Sequence, residues 1–116
     1  MEDYVRAVYD ELGPGYSESV YHNAFEVVLR QNSVQYETER VVPIMFKEHA
    51  VGNVRCDLIV HGASPEVPAT IVEFKAVAKL RPCDVLQLKN YLKLTGIAHG
   101  LLVNFGPSLE IQSITE

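Results

Sequence analysis

The run Ile71-Val72-Glu73-Phe74-Lys75-Ala76 places one acid and one base in a segment that is otherwise apolar. Side chains of a β-strand alternate faces, so Glu73 and Lys75 project together while Val72 and Phe74 face the other way. Charges stranded in such a strand are costly unless they are paired, solvated or bound to metal. Any fold of this chain has to meet that condition. The preceding candidate strand, Cys56-Asp57-Leu58-Ile59-Val60, carries one more charge of the same sort. If the two strands pair as a hairpin, Asp57 lies beside Glu73.

The rest of the pattern predicts the order α-α-β-β-β-α-β-β. Residues 2–12 put Tyr4 or Val5, Val8, Tyr9 and Leu12 at helical spacing, and Gly13-Pro14-Gly15 breaks the helix. Ser17 is the expected N-cap of a second helix reaching about Asn32, with Val20, Tyr21, Ala24, Phe25, Val27 and Val28 as its buried stripe. Strands are expected over residues 34–46, with Pro43 marking an edge or bulge, and over 54–60, joined by a turn at 47–50. A Gly/Ser/Pro-rich loop spans 61–68, and a third strand spans 69–76. Pro82 suits the first turn of a helix over about 82–95, stopped by Gly96, before strands at 98–105 and 109–114. Antiparallel neighbours followed by a helical crossover imply an α/β (α+β) fold, a central mixed β-sheet flanked by helices.

The chain has 116 residues, enough for a single domain spanning 1–116. No apolar run approaches the ~20 residues of a membrane span. The acidic start, Met-Glu-Asp-Tyr, lacks the features of a signal peptide, so an intracellular, non-secreted setting is expected. Cys56 and Cys83 have no zinc spacing and are expected as free, buried thiols. His22, His49, His61 and His99 have no ligand spacing either. A net charge of −5 counts against a protein that grips a nucleic-acid backbone by charge alone. It leaves room for carboxylates that hold a cation, since the ion brings its own positive charge.

Magnesium takes oxygen ligands and keeps several waters. Asp57, Glu73 and the backbone carbonyl of Phe74 could supply them, with Lys75 polarising a water or steadying charge on a phosphate. An Asp–Lys–Glu ion-pair cluster at a sheet edge is the competing reading, and spacing alone does not choose between the two. Two further pairs share helix faces: Glu18 with Tyr21, and Gln87 with Tyr91.

Taken in order, these elements resemble the GxxExxY family, a small RecB-like branch of the PD-(D/E)XK nuclease superfamily. The resemblance covers Leu12-Gly13-Pro14-Gly15-Tyr16-Ser17-Glu18-Ser19-Val20-Tyr21, the strand leading to Val60, Glu73-Phe74-Lys75-Ala76, Gln87-Leu88-Lys89-Asn90-Tyr91-Leu92 and Gly100-Leu101-Leu102-Val103-Asn104-Phe105-Gly106. It implies a restriction-endonuclease-like core and a Mg2+- or Mn2+-dependent nuclease acting on nucleic acid, with DNA the expected substrate and exonuclease character. By the same resemblance Asp57 and Glu73 bind the metal, Glu18 completes its site, Lys75 is the catalytic lysine, and Gln87 and Tyr91 orient that lysine or contact the strand. Relatives with a four-cysteine iron–sulfur cluster are a poor guide here, because two thiols cannot hold one. The alternative is a catalytically silent nuclease-fold module for binding or assembly. A domain this small could also work as a homo-oligomer.

Overall fold

The computed structural model describes residues 1–64 and 67–116, so Pro65 and Glu66 of the expected loop lie outside the described residues. Helix α1 (Glu2–Leu12) buries Val5 and Val8 and ends at Gly13, whose N–H still donates to the Tyr9 carbonyl and whose φ of 69° then turns the chain out of the helix. Helix α2 (Glu18–Gln31) follows Ser17, which holds the extended N-cap geometry but makes no side-chain cap bond. Its buried row is Tyr21, Phe25 and Leu29. Val20 and Val27, expected in the stripe, are 38% and 43% exposed. Residues four apart stay nearly in line on a helix, and a step of one residue swings by about 100°, so these two valines fall outside the row set by Leu29.

Strands β1 (Tyr36–Phe46), β2 (His49–Val60) and β3 (Thr70–Lys75) run antiparallel in succession. Helix α3 (Pro82–Thr95) then crosses over, so that β4 (His99–Phe105) lies parallel to β3, and β5 (Leu109–Thr115) closes the sheet antiparallel to β4. The sheet order is β1-β2-β3-β4-β5. The first hairpin is tighter than expected: Lys47 and Glu48 turn the chain with φ of 49° and 69°. Positive φ at both turn positions matches the twist of the flanking strands, which extends β2 back to His49. Pro43 lies on the edge strand, next to a register shift between Ile44 and Met45.

The central strands β3 and β4 are buried on both faces. Val72 and Phe74 pack with Tyr21, Phe25, Leu58 and Phe105 beneath α1 and α2. Ile71 and Leu102 pack with Leu88, Tyr91 and Leu92 of α3. Gly100 lets α3 approach, since a Cβ there would stand 2.9 Å from Leu88 Cδ2 and 3.0 Å from its Cγ. Gly100→Ala is therefore expected to overpack this layer by about 1–3 kcal/mol, lowering Tm by roughly 5–15 °C. An unchanged thermal melt, followed by circular dichroism, would contradict the close packing of α3 on β4.

Candidate active site

The ladder between β2 and β3 has only the pairs Leu58–Val72, Ile59–Ile71 and Val60–Thr70. Beyond Leu58 the strands part, and acidic side chains replace the backbone pairing. The Asp57 N–H donates to Glu73 Oε1 at 2.8 Å, and the Phe74 N–H donates to Asp57 Oδ2 at 3.1 Å. Each carboxylate is thus anchored by an amide of the opposite strand. The side-chain alternation of β2 breaks at this point: Leu58 packs under α2, whereas Cys56, two residues away, packs with the α3 layer. β3 keeps its line because β4 continues beside it, pairing Glu73 with Leu102 and Lys75 with Asn104.

Glu73 is 3% exposed. Burial, followed by the negative charge of Asp57, pushes its carboxyl up to about 9, with the Asp57 N–H and the Lys75 charge pulling the other way. At neutral pH the protein alone thus holds Glu73 as the neutral acid.

Lys75 reaches toward α3, where its Nζ donates to Gln87 Oε1 at 3.1 Å and lies 4.0 Å from Asp84 Oδ1. Residue spacing alone does not single out Asp84. It is 3% exposed and closes a capping box at the start of α3, accepting from the Arg81 N–H at 2.9 Å. Burial opposes its charge, but the amide and guanidinium of Arg81, together with Lys75, hold its carboxyl below the usual range. The available signal was an acid in the first turn behind Pro82, which reads as an ordinary cap until the fold brings Lys75 beside it.

Tyr91 lies one helical turn beyond Gln87 and is 6% exposed. Burial, then the charges of Glu73, Cys56 and Asp57, push its phenol up to about 12, while the Gln87 side chain opposes the shift. Tyr91 thus shares a field with the same two acids, while Gln87 bonds Lys75. Cys56 is buried and its thiol is pushed up to about 11 by that burial and by Glu73. Cys83, expected to be buried, is exposed, because the first turn of α3 faces outward there.

Glu18 stands in the first turn of α2. Partial desolvation raises its carboxyl, Lys75 lowers it, and Asp57 and Asp84 raise it, so it shares a field with all three. Tyr21 fixes that turn. Its hydroxyl donates to the Gly13 carbonyl at 2.6 Å and accepts the Tyr16 N–H at 3.2 Å, and its ring stacks on Phe105 at 4.4 Å.

The expected convergence of three acids is only partly met. Asp57 and Glu73 form a close pair, but among the described residues no three His, Cys, Asp or Glu side chains are close enough to hold a metal ion. Glu18 approaches in charge without joining at ligating distance. The pair itself suits a hard cation. Its donors are all oxygen, each carboxylate spends one oxygen on an amide, and two adjacent acids remain mutually unfavourable when charged unless a cation joins them. Two of the four histidines lie in other pairings, His22 with Glu26 at 3.0 Å and His61 with Glu37 at 2.9 Å. Among the described residues, no helix is long and apolar enough to cross a membrane.

A family model described as the PD-(D/E)XK nuclease superfamily matches residues 1–114. No curated protein matches. The crystal structure of SSO0001 is similar with a TM-score of 0.64 and 23% sequence identity, covering 84% of this chain and 50% of that chain. The likeness to SSO0001 is one of fold, and this chain spans half of its length.

Proposed function

The chain belongs to the PD-(D/E)XK nuclease superfamily, and from that premise we propose that it is a Mg2+- or Mn2+-dependent nuclease of the GxxExxY, RecB-like branch, cleaving DNA with exonuclease character. The single observation that carries this reading is the fork between β2 and β3. There two carboxylates, one of them buried and neutral, lie beside a lysine held by Gln87. A sheet-edge ion-pair cluster would leave its acids solvated and charged, whereas Glu73 is neither.

In this reading Asp57, Glu73 and the Phe74 carbonyl would hold the ion, and Glu18 would add negative charge to its surroundings from outside ligating distance. The ion, when bound, would lower the pKa of a coordinated water and offset negative charge on the scissile phosphate. Lys75 steadies the attacking water or the phosphoryl oxygens, and Gln87 and Asp84 set the direction of its amine. Tyr91, buried on the α3 side, lies in the electrostatic field of both acids.

Incubation with labelled single- and double-stranded DNA and RNA tests the proposal. Cleavage of DNA with millimolar magnesium or manganese, and none with chelator, is the expected result. A second reading, a silent binding or assembly module, draws on the net charge of −5 and the incomplete ligand set. It would prevail if the oligonucleotides were bound but never cut with either metal.

A further inference from the structure

A groove of about 530 Å³ opens beyond the carboxyl ends of the parallel strands β3 and β4. In parallel α/β sheets this is the end at which ligands bind. One wall is Pro14, Gly15 and Tyr16, which lead into Glu18; the other is Ala76 to Ala78, which follow Lys75 directly, with Phe105 to Pro107 beside them. The groove is therefore lined by the chain neighbours of Glu18 and Lys75, and none of its lining residues is charged. No side-chain charge there would draw in a phosphate, which leaves the groove to a flat, neutral group.

Tyr16 supplies the surface for one. It is 51% exposed, although its backbone is fixed by the hydrogen bond from its N–H to the Tyr21 hydroxyl. Its ring and that of Tyr21 form a T-shaped pair, with centroids 6.1 Å apart and planes at 73°, and about half of Tyr16 remains open to a stacked partner. The lining also includes the short side chains of Ala76 and Ala78. The volume lies within the ~300–1,000 Å³ of small-molecule sites.

We propose that this groove is a base-binding subsite, in which an unpaired nucleobase of the substrate stacks on Tyr16 next to the phosphate handled at Lys75. The proposal rests on the nuclease reading and narrows its substrate to single strands or frayed ends, because a base held in a duplex stack cannot enter. Stacking on an aromatic side chain contributes about 1–3 kcal/mol per base, which converts to roughly 5- to 150-fold in affinity.

The chain has no tryptophan, so 2-aminopurine placed in an oligonucleotide reports stacking without interference from indole emission. The test uses Lys75→Ala as a background in which cleavage is slow on the timescale of binding, with magnesium present, and scans the probe along a single strand. Quenching at one position is expected, with binding weakened about 5- to 150-fold by adding Tyr16→Ala and retained with Tyr16→Phe. Fully paired duplex carrying the same probe should show no such loss. Equal affinity with and without the Tyr16 ring, equal losses for single strand and duplex, or no binding of the single strand would each overturn the subsite. The nuclease reading fails separately, on absence of metal-dependent cleavage by the unaltered chain.

Discussion

Lys75→Ala is expected to reduce metal-dependent cleavage by about 10²- to 10⁴-fold, chiefly in kcat, the range for losing a positioned acid–base or charge-stabilising group. The substitution removes the only Lys or Arg ammonium or guanidinium that pairs with Asp84 besides Arg81 among the described residues, yet Asp84 keeps its bonds to Arg81 and the cap of α3. The fold should therefore survive, and a circular-dichroism melt within a few degrees of the parent confirms that the loss is chemical. Gln87→Ala, which frees the lysine without removing it, should cost about 10- to 100-fold. A rate preserved in Lys75→Ala would assign the cleavage to a contaminant and remove Lys75 from the mechanism.

The second large effect is on stability, and Glu73 controls it. In the unfolded chain a glutamate releases its proton near ~4.3. In the folded chain Glu73 releases it at about 9, held up by burial first and by Asp57 second. Between those values the folded state binds the extra proton, so stability falls as pH rises. The contribution is whole below about pH 4 and is lost progressively toward about pH 9. Asp57, Lys75, Cys56 and Tyr91 are the titratable groups around it. Glu73→Gln retains an oxygen to accept the Asp57 N–H and cannot ionise. It should melt roughly 5–15 °C higher than the parent at pH 8 and within a few degrees of it at pH 4. Magnesium should raise the parent's Tm at pH 8, by roughly 10 °C at a hundredfold excess over Kd, and leave Glu73→Gln nearly unmoved. Identical melting of the parent in chelator and in millimolar magnesium would remove the metal site.

The elements were legible because each is a local pattern. The apolar spacing of Val5 and Val8, the break at Gly13 and the proline opening α3 all act within a turn or two of chain. The alternation in β3 alone fixes that Glu73 and Lys75 share a face, and motif resemblance put Asp57, Gln87 and Tyr91 in the same site. Where local pattern misled, a longer-range contact had decided. Val20 and Val27 look as apolar as Leu29, but only the row of Tyr21, Phe25 and Leu29 meets the sheet. The turn at Lys47 and Glu48 shortened because strand twist, not residue preference, selects positive φ there.

What the chain's own letters determined is the inventory: an acid and a base on one face of an apolar strand, a third charge one strand earlier, and helices of the right length to cover both sides. Tertiary structure decided which of these meet and in what protonation state. The parting of β2 from β3 hands Asp57 and Glu73 to backbone amides, and the crossover of α3 sets Asp84 and Gln87 on Lys75. Those outcomes depend on distances between segments far apart in the chain and on how much water each carboxyl keeps. Neither quantity is carried by residue spacing, because a side chain's charge is set by what the fold places around it.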